Sequence, residues 1–244
     1  MSRGFYTLSS GILTQNRVLD TVTNNIANVN TPGFKKNKVV STSFGEMYIS
    51  RIDAQNTKLN KVSIINTAAE SSTIHTQGII KHTGRPLDFA VEGQGFFAVQ
   101  TDNGNVYTRN GSFNVDAEGY LVLKDVGRVM GTNGPIYAGT DDITADSLGN
   151  IYVEGESINN SIAVYDFADY GRLETVGEGV YRANNPVWLT NAQVLWESIE
   201  GSNVDAASEM AASISAQRSL QSCSQALKMY DQILNKAATD IAKL

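Results

Sequence analysis

Cysteine and histidine are nearly missing from this 244-residue chain: Cys223, His75 and His82 are the whole supply. One cysteine excludes an internal disulfide and a cysteine-built metal site. Two histidines with no third ligand pattern nearby argue against a zinc centre, and the sequence gives no reason to expect a cofactor. Charge is sparse as well. The net charge is −6 and 18% of residues are charged, which argues against nucleic acid, because its binders present a basic face. Lys35, Lys36 and Lys38 form the one tight basic cluster and read as a solvated turn after a helix. No apolar run is long enough to span a membrane. The amino terminus lacks the apolar core and small-residue cleavage site of a secretory signal. The expectation is a chain with no direct membrane insertion. Proline occurs four times, never after Pro186, so nothing stops the last quarter from being helical.

What is present is concentrated at the two ends. Phe5, Leu8, Ile12, Gln15, Leu19, Val22 and Ile26 are spaced alternately 3 and 4 apart, the seam of a coiled coil. Pro32 and Gly33 end that helix. Its other face holds Thr7, Ser9, Ser10, Thr14, Asn16, Thr21, Thr23, Asn24, Asn25 and Asn28, and the charges up to Phe34 are Arg3, Arg17 and Asp20 alone. Such residues are poor helix formers, so this face is expected to hydrogen-bond to other protein. A second seam runs Leu220, Cys223, Leu227, Tyr230, Leu234, Ala237, Ile241 and Leu244, and Met210, Ile214 and Gln217 extend it upstream with a shift of phase. Ser202 and Asp205 resemble a capping box. Cys223 then reads as a small core residue rather than a reactive thiol. Helices of about 25 and about 40 residues would span roughly 37 and 60 Å. Part of the longer seam would lack a partner within the chain, and each large side chain left in water forgoes about 1.5–3 kcal/mol.

The middle has another texture. Leu87–Val91, Phe96–Gln100, Val106–Arg109, Phe113–Val115, Tyr120–Leu123, Ile151–Val153 and Ile162–Phe167 are short aromatic or β-branched runs. Asp-to-Gly turn signals separate them, with Asp146 among the turn formers. This predicts a compact antiparallel β domain. Gly93-Gln94-Gly95-Phe96-Phe97-Ala98 fits a loose dinucleotide pattern, but a strand follows where a helix is required, so the glycines read as a turn or bulge. Arg85, Asp88 and Glu92 read as exposed strand ends, and no nucleophile elbow or acid pair points to catalysis.

The helix-closing stretch Asn25-Ile26-Ala27-Asn28-Val29-Asn30-Thr31-Pro32-Gly33-Phe34-Lys35 resembles the amino-terminal signature of bacterial flagellar rod and hook proteins. Thr83–Phe97 and Tyr107–Phe113 are similar to that family's β-domain entry. Glu200–Asp205, Gln217-Arg218 and Asp231–Leu234 resemble its carboxy-terminal signature, in the right order. Ser219-Leu220-Gln221-Ser222-Cys223 departs from the family's usual Ala-Tyr-Glu-Ala-Asn and keeps the seam apolar. The resemblance implies a non-enzymatic subunit of the basal-body rod, with Gly84–Asp88 favouring the proximal over the distal rod. It implies export through the flagellar type III apparatus, without a cleavable signal, and axial stacking with other copies and other rod and hook subunits.

Residues and resemblance together give an α+β expectation. The amino- and carboxy-terminal helices pair as a coiled-coil-like tube domain, and an antiparallel β-rich domain is inserted between them. The expected boundaries are 1–34 for the first helix, 35–75 for an extended connector, 76–190 for the outer β domain and 200–244 for the last helix. Expected assembly contacts are Leu8, Ile12, Leu19, Val22, Asn24, Asn25, Ile26, Asn28, Asn30, Met210, Ile214, Gln217, Leu220, Leu227 and Leu234, with the asparagines as polar contacts between subunits. Two other readings are a different exported stalk and a β domain that binds or cleaves glycan.

Overall fold

The computed structural model describes residues 2–50 and 58–241. The chain forms two compact units. One takes Met1–Ile26, Asn37–Ser72 and Asp205–Leu244; the other takes Ala27–Lys36 and Thr73–Val204.

The first unit holds helix α1, Ser2–Ala27, and helix α2, Ala206–Ile241. A Cβ built on Gly4 would sit 3.6 Å from the Tyr230 ring, one built on Gly11 would sit 3.8 Å from the Cys223 sulfur, and Asn25 bonds to Glu209. The numbers rise along one helix as they fall along the other, in matching steps of one and then two heptads. The helices are therefore antiparallel, and small residues on α1 let them approach closely where the partner is large or polarisable. The hydroxyls of α1 correct one expectation. Thr14, Thr21 and Thr23 donate to the carbonyls of Ser10, Arg17 and Leu19 four residues back, and Ser10 donates to Thr7. They are bonded inside their own helix. At the other end, Asp205 caps α2 by accepting from the Ala207 amide at 3.2 Å. Ser202 lies outside the helix and accepts from Val204 instead.

Residues expected as a plain connector over 35–75 include two long strands, Asn37–Ser50 and Lys58–Thr73, paired as a two-stranded sheet. Their Val, Ile, Thr and Ser content suits a pleated surface. Ser41-Thr42-Ser43 and residues 68–73 lie within these strands.

The second unit is the antiparallel β domain. Phe96–Thr101 is its central strand. It pairs with Gly104–Thr108 on one side, and with Gly127–Gly131 and Val164–Asp166 on the other. Phe97 and Val99 enter the large core with Phe89, Phe113, Leu121, Val129, Ile136 and Ile151. Phe96 and Ala98 enter a second, aromatic cluster with Tyr107, Phe167 and Tyr181. Burial on both faces explains the continuous apolar run at Phe96–Val99. The turn before it needs glycine. Gly95 has φ +123°, and a Cβ there would stand 2.5 Å from a Val164 methyl, so the glycine pair serves backbone geometry, as its strand context predicted. Asp146 likewise accepts from the amides of Leu148 and Asn150 and from the Asn150 side chain, the work of a turn former.

Candidate assembly site

On the helices, the seam residues Leu8, Ile12, Leu19 and Ile26 are half-buried and Val22 is buried; Leu220, Leu227 and Leu234 are half-buried on α2. Met210, Ile214 and Gln217 are exposed, as are Asn24 and Asn30. The exposed apolar residues also include Tyr6, Leu13, Met229 and Ile233. These four lie outside the alternating 3 and 4 spacing, which marks only the strip each helix turns toward its partner. The residues flanking that strip were the available signal for them.

Asn25 and Asn28 correct the expectation of polar contacts between subunits. Both are buried inside the chain. The Asn25 amide donates to the Asn37 carbonyl at 2.8 Å and to Glu209 at 3.0 Å, and its oxygen accepts from the Asn37 amide. One side chain thus closes the end of α1, fixes the first residue of the next strand and ties in the first turn of α2. Asn28 accepts from the Thr31 hydroxyl at 3.0 Å and shapes the turn after α1.

That turn leads into a buried ionic clasp within the β unit. Gly33 has φ +69°, and a Cβ on it would lie 2.2 Å from the Asn110 nitrogen, so only glycine lets the backbone pass. The Gly33 amide donates to the Glu200 carbonyl at 2.7 Å. Two residues on, the Lys35 ammonium donates to Glu200 at 2.5 Å and to the Thr76 carbonyl at 2.8 Å. Arg109 reaches the other Glu200 oxygen at 3.1 Å and bonds the Val91 and Gly93 carbonyls. The Gly78 amide adds a third donor to the carboxylate. Lys35, Arg109 and Glu200 are 1%, 4% and 0% exposed, so the reading of Lys35 as solvated is overturned. Burial and the Arg109 charge pull the Lys35 ammonium below its usual pKa range, and Glu200 opposes them. Asn203 completes the joint, donating to the Ile74 and Thr76 carbonyls while accepting from the Lys36 amide. The segment after the first helix and the segment before the last are thereby locked to one another and to the β core.

A neighbouring network also differs from the strand-end reading. Asp88 is buried, accepting from Arg85 at 3.1 Å and from the Thr83 hydroxyl at 2.8 Å, while Arg85 also bonds Phe113 and Asn114. Glu92 is exposed, as expected. His75 packs its ring against Phe96, Tyr170 and Tyr181. Burial, with the Lys35 and Arg109 charges, pushes its imidazole down to about 4. It is a neutral core histidine at neutral pH. Among the described residues, no three His, Cys, Asp or Glu side chains gather as a metal site, and no helix is long and apolar enough to cross a membrane.

Three family models match the chain. The one described as "Flagella basal body rod protein" covers residues 5–35, "Flagellar hook protein FlgE/F/G D1 domain" covers 90–162, and "Flagellar basal body rod FlgEFG protein C-terminal" covers 197–240. The first ends on Lys35 and the last includes Glu200, so the clasp joins the two terminal signatures. The chain is 31% identical over 258 residues to the flagellar basal-body rod protein FlgG of Bacillus subtilis, covering 97% of this chain and 98% of that one. It is 28% identical over 271 residues to the flagellar hook-basal body complex protein FlhO of the same organism, covering all of both chains. It is also 28% identical over 257 residues to the flagellar basal-body rod protein FlgF of Caulobacter vibrioides, again over the whole of both.

Proposed function

This chain belongs to the flagellar basal-body rod protein family, and from that we propose how it works as a structural subunit of the rod: it joins neighbours through the outward faces of α1 and α2. Support comes from two exposed apolar pairs on α2, Met210 with Ile214 and Met229 with Ile233, and from Tyr6 and Leu13 on α1. Large apolar side chains left in water on the two helices gain by burial against another protein. Leu8, Ile12, Leu19, Val22, Ile26, Leu220, Leu227 and Leu234 hold the two helices together, which sets those faces at fixed spacing. Asn24 and Gln217 are exposed polar residues on α1 and α2, and Asn30 is exposed in the turn after α1. Neighbours are other copies and other rod and hook subunits in the flagellar basal body. The role is mechanical, with no catalytic step. Delivery is by the flagellar type III export apparatus as an unfolded chain, which fits stability distributed over helices and antiparallel sheets without a disulfide.

The clasp, Lys35–Glu200–Arg109, ties both ends of the β unit at one point. The single observation that carries this reading is the set of large apolar side chains left exposed on the two helices, Tyr6, Leu13, Met210, Ile214, Met229 and Ile233. Its test is a subunit-resolved map of isolated basal bodies. The expected result is this chain as a continuous axial layer with α1 and α2 toward the axis, and the same map reads whether the layer is proximal. A map whose rod layers are all accounted for by other chains contradicts the reading.

A further inference from the structure

Asn103-Gly104, Asn110-Gly111 and Asn133-Gly134 are the asparagine–glycine pairs of the chain, and all lie in the β unit. Such a pair is open to reaction with itself. Glycine has no Cβ to shield the nitrogen that follows the asparagine, and its backbone turns freely. The fold treats the three pairs differently.

Asn133 is exposed, but its side-chain amide donates to the Asn159 carbonyl at 2.7 Å, and its backbone amide donates to the Asn160 side chain at 3.0 Å. The Asn110 side-chain oxygen accepts from the Ser112 amide at 3.0 Å. Gly111 is buried, and a Cβ on it would lie 1.7 Å from the Phe89 carbonyl oxygen, so that peptide has no room to turn. Asn103 sits at the tip of the hairpin between Phe96–Thr101 and Gly104–Thr108, where Thr101 pairs with Gly104. It is exposed, and its side chain makes no bond among the described residues. Gly104 has open space around it, with no atom within 4 Å of a Cβ built there. The Thr101 hydroxyl holds the turn by donating to the Gly104 carbonyl at 2.7 Å and accepting from the Asn103 backbone amide at 3.3 Å. Neither contact uses the Asn103 side chain.

We propose that Asn103 is a self-modifying site, converting to aspartate and isoaspartate in the folded protein ahead of Asn133 and Asn110. The Gly104 nitrogen attacks the Asn103 side-chain carbonyl carbon. Its proton leaves with the side-chain NH2 group as ammonia, and a cyclic succinimide remains. Water then adds to one of the two succinimide carbonyls and breaks its bond to nitrogen. Opening on one side restores the main chain and leaves an aspartate. Opening on the other routes the main chain through the side-chain carbon and leaves an isoaspartate. Either product sets a new carboxylate beside Asp102, and the isoaspartate lengthens the hairpin tip by one main-chain atom at the end of the central strand. Water is the sole co-reactant. The site belongs to the β unit alone and goes beyond the rod reading, which survives if the site fails.

The experiment incubates the full-length protein at mildly alkaline pH and follows the three asparagine peptides by mass spectrometry, which reads the exchange of an amide for an acid. A carboxyl methyltransferase specific for isoaspartate, supplied with labelled S-adenosylmethionine, reports the rearranged product. Conversion at Asn103 is expected first. Asn133 lags roughly fivefold, the scale of one hydrogen bond that must break before its side chain turns, and Asn110 lags further. In urea the three rates draw together, because the same glycine follows each asparagine. Asn103→Gln removes the methyl label gained early by the folded protein, and Asn133→Gln keeps it. Equal rates in the folded protein overturn the proposal, as does a lead by Asn133 or Asn110. So does an Asn103 that stays intact in the folded protein while all three convert in urea, and so does early label that persists in Asn103→Gln.

Discussion

Glu200 has the most exacting environment of any side chain in the β unit. Two buried cations share its one carboxylate, so removing the anion strands both, whereas removing Lys35 leaves a balanced Arg109–Glu200 pair. Breaking a buried pair by deleting one partner costs about 3–5 kcal/mol. Glu200→Gln should therefore lose that order of stability in a urea melt of the β unit, and Lys35→Met should lose clearly less. Equal losses would mean that the three charges do not act as described. His75 supplies a pH dependence. Its folded pKa is about 4 against an ordinary 6.5, so between those values the unfolded chain takes up a proton that the folded chain refuses. Stability from this group is complete above about pH 6.5 and is lost as the pH falls toward 4. The urea midpoint should drop between pH 7 and pH 5, and His75→Phe should flatten that drop. An imidazole titrating at its ordinary value by NMR would contradict it. At this scale the sequence is least legible. Lys35 looks like any lysine in a basic turn, and its partner stands 165 positions away. Only Gly33, next to Pro32, hinted at a backbone needing special room. The cap of α2 was misjudged for a local reason: Ser202 and Asp205 both suit a cap, and the backbone turns helical only after the second.

Among the elements, the helices were legible because their period is written in the residues that pair. Leu8, Ile12, Leu19 and Val22 all turn inward, and Cys223, half-buried, faces Gly11 across the helix pair. What the period left out was register. With Gly4 at Tyr230 and Gly11 at Cys223, α1 runs out near Gln232, and only the stretch from Ile233 onward extends beyond it, about 13 Å of helix. The overhang lies at one tip, while Met210 and Ile214 stay exposed within the paired length. Gly11→Cys tests this register. Its new thiol would face Cys223 at near-disulfide spacing, so oxidation should give a monomer with an internal crosslink and altered mobility on a non-reducing gel. Leu13→Cys, on the exposed face, should not. An internal crosslink from both positions, or from neither, contradicts the antiparallel packing. The paired strands after α1 were only partly legible: Val62-Ser63-Ile64-Ile65 reads as a short strand, while the rest of Asn37–Ser50 and Lys58–Thr73 shows neither a sustained strand period nor a helix period.

For the whole molecule, the two-part plan of terminal helices around an inserted β domain follows from the change in texture near Ile74 and after Trp196, and the structure has that plan. The boundary differs in one respect with practical weight. Residues 27–36 belong with the β unit, because Gly33 and Lys35 are built into its clasp, so a cut intended to remove the first helix must stop before Ala27. A chain lacking residues 2–26 should keep a folded β unit with a cooperative melt, lose self-association and leave cells without a complete rod. The most direct test of the central claim, that this chain is a rod subunit assembled through its terminal helices, is to image basal bodies from cells whose only copy lacks residues 2–26. The account predicts basal bodies that stop short of a complete rod, in cells that do not swim. Complete rods in swimming cells would contradict it.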